Sequence, residues 1–138
     1  MKKEMEEVIR DKIFIIMERK TKQQLARWGE EVAKKFLEVN KILVLHSNFR
    51  TSSGEIDIIG KENDDLVFFE VKTRSSTEFG FPEDAVDSKK IQKIELVAND
   101  YLDALGNGDD NWRIDTIAII RNPYNGKYKL EWYKNVDS

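Results

Sequence analysis

At 138 residues the chain fits one compact domain, and with hydrophobic residues at 40% and aromatics at 10% it can bury a sizeable core. It contains no cysteine, which excludes disulfides, thiolate zinc sites and a cysteine nucleophile. Charged residues make up 36% with both signs interspersed, and the net charge of −3 argues against a bulk nucleic-acid binder, so any nucleic-acid contact must come from a local patch.

Residues 4–18 carry Met5, Val8, Ile9, Ile13 and Ile16 at helical spacing, which predicts an amphipathic helix. The apolar run at 13–17 is too short to span a bilayer or to serve as a secretory segment, so no membrane contact is expected and the cytoplasm is the expected compartment. Lys22–Val39 reads as a stronger helix, with Leu25, Trp28, Val32, Phe36 and Val39 at intervals of three and four. Strands are predicted at 41–49, 55–59 and 66–72, followed by a loop containing Gly80 and Pro82. A long helix is expected over Ser88–Leu105, with Ser88 as its N-cap and Ile91, Ile94, Val97, Ala98, Tyr101, Leu102 and Leu105 as its apolar face. Two further strands are expected at 114–120 and 127–133. Three consecutive strands imply an antiparallel meander, and a strand reached through a helix is most often laid parallel. The expected fold is α/β: helix, three strands, helix, two strands, with a central mixed sheet flanked by helices.

Charge placement singles out one cluster. Side chains two apart on a strand share a face, so Glu70 and Lys72 point together while Phe69 and Val71 point the other way. The same alternation puts Glu55 and Asp57 on one face of the preceding strand and Ile56 and Ile58 on the other. If these strands form a hairpin, Asp57 sits beside Glu70. Two carboxylates with a lysine two residues on suit Mg²⁺ or Mn²⁺, hard cations that take one or two carboxylates plus substrate phosphate. Such an ion polarises a phosphoryl group, and the lysine can balance charge on the phosphate. Spacing alone leaves an ordinary ion pair at the strand end equally open.

Several blocks extend the pattern: Gly29-Glu30-Glu31-Val32-Ala33, Asn48-Phe49-Arg50, Gly54-Glu55-Ile56-Asp57, Val67-Phe68-Phe69-Glu70-Val71-Lys72-Thr73-Arg74, Phe79-Gly80 with Pro82, Ala85-Val86 and Lys90. In that order they resemble the YraN-like family of small bacterial proteins. That family is a branch of the PD-(D/E)XK nuclease superfamily and is similar to archaeal Holliday-junction resolvases. The resemblance implies a restriction-endonuclease-like core and a metal-dependent endonuclease acting on branched or structured DNA. It implies Asp57 and Glu70 as metal ligands with the Val71 carbonyl as a third, Lys72 as the catalytic lysine, and Glu30 as a first-helix acid lining the site. The proline that precedes the aspartate in the superfamily motif is Ile56 here.

Arg50, Arg74 and Lys90 are the expected phosphate contacts, and Phe79 or Phe81 could stack on bases. Asp115 falls on a family position, although an ion pair with Arg113 explains it better. His46 reads as a bystander. Residues 1–20 read as a helical extension of a nuclease-like domain at 21–138, produced by an upstream start or used as a dimerising helix through Phe14 and Ile15. One site cuts one strand, so paired cuts would need an isologous homodimer. The contrasting reading is a non-catalytic nucleic-acid-binding or assembly module that keeps the fold, and a protein-interaction domain with its acids in ion pairs is a third.

Overall fold

The first core helix, α1 (Lys22–Val39), begins at Thr21, whose hydroxyl accepts from Gln24 N–H while the Gln24 side chain accepts from Thr21 N–H. This reciprocal pair satisfies two of the donors that every helix start leaves open. The computed structural model describes residues 5–10, 20–78, 80, 86–106 and 111–137. Residues 5–10 are helical, while Phe14, Ile15 and most of the helix expected over 4–18 lie outside the described residues. No helix among those described is long and apolar enough to cross a membrane.

Beyond α1 come β1 (Leu43–Thr51), β2 (Gly54–Glu62), β3 (Asp65–Ser75), α2 (Ser88–Leu105), β4 (Trp112–Arg121) and β5 (Tyr128–Tyr133). They form one sheet in the order β1-β2-β3-β4-β5. The first three strands are an antiparallel meander, β4 lies parallel to β3, and β5 is antiparallel to β4. The β2–β3 turn is a two-residue loop between Glu62 and Asp65, and Asn63 takes its left-handed position at φ 54°. This mixed sheet with its helices is consistent with a restriction-endonuclease-like core. Both long helices have the expected bounds, whereas β2 and β3 run further than the expected 55–59 and 66–72, and β1 keeps its expected length but lies two residues later than 41–49. Their ends are polar residues held by pairing rather than by burial.

The helices cover opposite faces. α2 packs Ile91, Ile94, Val97, Ala98 and Leu102 against Ile56, Ile59, Leu66, Phe68 and Ile114. Its expected face is correct except for Leu105, which is exposed. α1 packs Ala33 and Leu37 against Ile58, Val67, Phe69, Ile117 and Ile119. Here the expected stripe is displaced: the fully buried line is Gly29, Ala33 and Leu37, with Trp28, Val32 and Phe36 at its margins, and Val39 is 81% exposed. The large residues were the stronger hydrophobic signal, yet it is the small ones that let the helix backbone settle onto the sheet.

Gly29 makes the closest approach. A Cβ built there would overlap the Thr73 side chain on β3, so α1 touches the strand at the segment that carries Glu70 and Lys72.

Asp115 is fully buried on β4 and accepts from Arg113 Nε at 3.0 Å, Trp132 Nε1 at 2.9 Å and Asn135 N–H at 2.8 Å. Arg113 also binds Glu62 at 2.9 Å. Asp115 therefore ties β4 to β5 and the C-terminal segment, as the ion-pair expectation for it required, and gives no support to a site role.

Two outcomes follow from this packing. Gly29→Ala is expected to destabilise the fold by about 1–3 kcal/mol through overpacking, with part recovered in the double variant Gly29→Ala/Thr73→Ala, as read by urea denaturation. Asp115→Ala should cost about 2–4 kcal/mol because it removes a fully buried acceptor shared by the half-buried Arg113 guanidinium, the Trp132 indole and the Asn135 N–H. Its effect on metal affinity, read by calorimetry, should be small.

Candidate active site

The β2–β3 ladder stops at the Ile58–Phe69 pair, one step before Asp57 and Glu70 would face each other. On its other side β3 stays paired with β4 through Ser75 and Arg121. The two strands of the hairpin therefore part while β3 remains fixed. Across the gap Asp57 Oδ2 accepts from Val71 N–H at 2.8 Å, replacing a lost ladder bond with a side chain. The N–H and C=O of one strand residue face the same edge, so the Val71 carbonyl also faces this gap.

β2 departs from regular pleating at the same point. Ile56 packs into the α2-side core and Ile58 into the α1-side core, which corrects the expectation that they share a face. The residue on β1 between the pairs Ser47–Ile58 and Phe49–Ile56 is Asn48, in the left-handed region at φ 53°. A strand that must turn Asp57 out of its ladder has to break the two-residue period there. On β3 the alternation is regular: Phe69 lies on the α1 side with Val71 at its margin, and Glu70 and Lys72 fall on the α2 side.

Glu70 is only 4% exposed, and its Oε2 is buried with no hydrogen-bond partner. Burial pushes its carboxyl up to about 7, opposed by the ammonium groups of Lys72 and Lys90 and reinforced by Asp57 and Asp87. Burial likewise pushes Asp57 up to about 6, with the Val71 N–H bond and Lys90 acting downward and Glu30 and Glu55 upward. Asp57 and Glu70 thus lie in each other's field and in that of Lys90, with Lys72 acting on Glu70 and Glu30 on Asp57. Glu30, half-buried beside Gly29 on α1, acts on Asp57 from that helix.

The other expected contacts are more scattered. Lys90 is exposed in the first turn of α2, and Arg74 is exposed two residues past Lys72. Arg50 lies 3.5 Å from Glu55 in an exposed ion pair, a contact of little energetic weight. His46 packs beside Tyr101 and Phe49. Phe79 and Phe81 lie outside the described residues.

Two residues escaped the sequence reading. The N-cap of α2 is Asp87, which accepts from Lys89 and Lys90 N–H, and not the expected Ser88. Its carboxylate also faces Glu70, so one side chain both starts the helix and charges the site. Thr116 is fully buried with an unpartnered hydroxyl, and it is the β4 residue in register with Glu70. Hydrophobic patterning hides it inside an apolar strand; only the β3–β4 register finds it.

Among the described residues no group of three or more His, Cys, Asp or Glu side chains is placed to hold a metal. A divalent ion here would rest on Asp57, Glu70 and the Val71 carbonyl, completed by water, a donor set that suits Mg²⁺ or Mn²⁺. The partnerless Glu70 Oε2 fits such an ion, because a buried carboxylate oxygen without a donor is otherwise costly.

Residues 29–119 match the family described as "Uncharacterised protein family UPF0102". The chain is similar to UPF0102 proteins of Christiangramia forsetii, at 41% identity over 72% of this chain and 82% of that one, and of Alkaliphilus oremlandii, at 41% over 78% and 92%. A third, from Caldicellulosiruptor saccharolyticus, is 36% identical over 83% of this chain and 97% of its own length. The matched region begins at Gly29 and takes in Glu30, Asp57, Glu70 and Lys72, and by it the chain belongs to the UPF0102 family, the YraN-like group that its motifs resemble.

Proposed function

We propose that this protein is a metal-dependent endonuclease that hydrolyses phosphodiester bonds in branched or otherwise structured DNA. The observation that carries this reading is the buried Glu70 carboxylate, with one oxygen unpartnered, beside Asp57 at the point where β2 and β3 separate. A purely structural ion pair has no use for an oxygen left without a donor.

Asp57, Glu70 and the Val71 carbonyl would hold Mg²⁺ or Mn²⁺. When bound, such an ion supplies Lewis-acid polarisation of the phosphoryl group and acidifies water. Asp57 is held by the Val71 N–H through Oδ2, which leaves Oδ1 for a ligand. Lys72 shares the face of Glu70 and sets an ammonium where negative charge grows on the phosphate. Glu30 adds negative charge on the Asp57 side, favouring a cation there. Lys90, Arg74 and Arg50 would contact flanking phosphates, which fix position without reading bases. The cytoplasm is the compartment this substrate implies, and a homodimer would supply a second site for a paired cut.

A second reading, a nucleic-acid-binding or assembly module without turnover, draws on the acidic total of −3. The two readings separate in a nicking assay on junction, flap and plain duplex DNA with Mg²⁺ or Mn²⁺. The wild type should nick, and Asp57→Ala, Glu70→Ala and Lys72→Ala should each lose on the order of a hundredfold or more. Glu30→Ala should lose about tenfold, as for a group acting at longer range. Cleavage that survives both Glu70→Ala and Lys72→Ala would overturn the assignment, and binding without cleavage in the wild type favours the second reading.

The two acids, Glu70 buried and Asp57 half-buried, also set a pH dependence. Their folded values of about 6 and 7 lie above the ordinary 3.8 and 4.5. Their contribution to stability is therefore full below about pH 4 and is lost as pH rises through 6 and 7. Glu70→Gln keeps the shape without the charge. In metal-free protein at about pH 8 it should exceed the wild type in stability by about 2–3 kcal/mol, with the gap closing below about pH 5. Mn²⁺ should raise the wild-type melting midpoint and leave that of Glu70→Gln nearly unmoved. Equal responses of the two proteins to Mn²⁺ in thermal melts would remove Glu70 from the metal site.

A further inference from the structure

A cleft of about 430 Å³ opens past the C-terminal ends of β3 and β4, beside the start of α1. Lys20, Lys22 and Arg121 bring cations to it, Ser75 a hydroxyl, and Pro123 and Tyr124 a wall, while no carboxylate occurs among its described lining residues. In a chain whose net charge is −3, three cations around one concavity concentrate positive potential where the total gives none.

Arg121 is built into the cleft. It is 6% exposed, its guanidinium lies 5.6 Å from the centre of the Trp28 ring, and a Cβ at Gly126 would come within 3.3 Å of its Nη2. The ring on one side and the β4–β5 turn on the other fix its orientation, which lowers the entropy lost when it binds an anion. Tyr124 on the same turn is 52% exposed, with its backbone anchored to the Asn122 side chain at 2.8 Å. A fixed guanidinium flanked by two lysines, beside an exposed aromatic ring on an anchored turn, supplies the two parts of a single-strand platform: the backbone tracks the charge and a base stacks on the ring.

We propose that the Lys20–Lys22–Arg121 cleft holds the phosphodiester backbone of an unpaired nucleic-acid strand, with a base against Tyr124. Ser75 lies five residues along β3 from Glu70 and is the register partner of Arg121, which puts the cleft roughly 16 Å from the acids at about 3.3 Å per residue. The inference rests on the nucleic-acid substrate of the proposed function and deepens it. A substrate that must reach both places carries a single-stranded arm several nucleotides long next to the cut.

The test is fluorescence anisotropy of a labelled single strand and of its duplex, titrated with the full chain in EDTA across a salt series. Lys20→Ala/Lys22→Ala is expected to weaken single-strand binding about tenfold and to flatten the slope of log affinity against log salt by about 1.4, the share of two phosphates. Lys22 is exposed and Lys20 half-buried, so this double variant should keep its fold where an Arg121 substitution would not. Tyr124→Ala should weaken the single strand about fivefold or more and the duplex far less. Unchanged affinity and slope in the lysine variant would overturn the proposal. So would displacement of the strand by inorganic pyrophosphate at equal concentration, which marks a pocket for free phosphate. Because binding is read without divalent metal, a wild type that holds strands through these lysines yet cleaves nothing refutes the catalytic reading alone. A wild type that cleaves but binds equally well in the lysine variant refutes the cleft alone.

Discussion

The bond from Val71 N–H to Asp57 Oδ2 is the contact on which the rest of the site depends. Two antiparallel strands that part in mid-sheet leave backbone donors and acceptors facing each other across a gap that neither can close. In a buried setting each such group costs on the order of 1–3 kcal/mol. By accepting from Val71 the carboxylate meets that demand on one side, and it is held rigidly as a result. The other requirements follow: β2 must break its pleat at Asp57, Asn48 must take up a left-handed conformation opposite it, and β3 must be held by β4 instead.

The same separation bears on how a protein of acidic composition could accept the polyanion that the proposed function requires. The acids of the site lie inward, Glu70 buried and Asp57 half-buried. Positive charge stands at the rim, with Lys72 and Lys90 at the acids and Lys20, Lys22 and Arg121 past the strand ends. Net charge describes the sum, whereas a ligand meets the local arrangement.

Much of the fold was legible in one dimension. Both helices and all five strands announce themselves through apolar period, and the mixed sheet follows from three adjacent strands and one crossover. Glu70 and Lys72 share a face because β3 is regular. Legibility fails where backbone geometry overrides pattern. Ile56 and Ile58 read as one face and belong to two, because alternation cannot show a strand turning out of its ladder. Helical spacing puts the α1 stripe on its large residues, since nothing in a helical wheel shows that Gly29 must pass Thr73 at backbone distance. Asp87 and Thr116 become visible only through a cap and a register.

The parallel crossover bears also on the order in which the molecule assembles. β1, β2 and β3 are linked by two-residue turns and can pair early, whereas β4 has to wait for α2 to span the distance from β3. Until α2 docks, the face of β3 that carries Glu70 remains open to water. On that order, the penalty of enclosing the Glu70 carboxylate would fall on a late step, after the meander has formed. A cation that relieves this penalty would act mainly by slowing the escape of α2 and β4, so that it prolongs the folded lifetime more than it hastens folding.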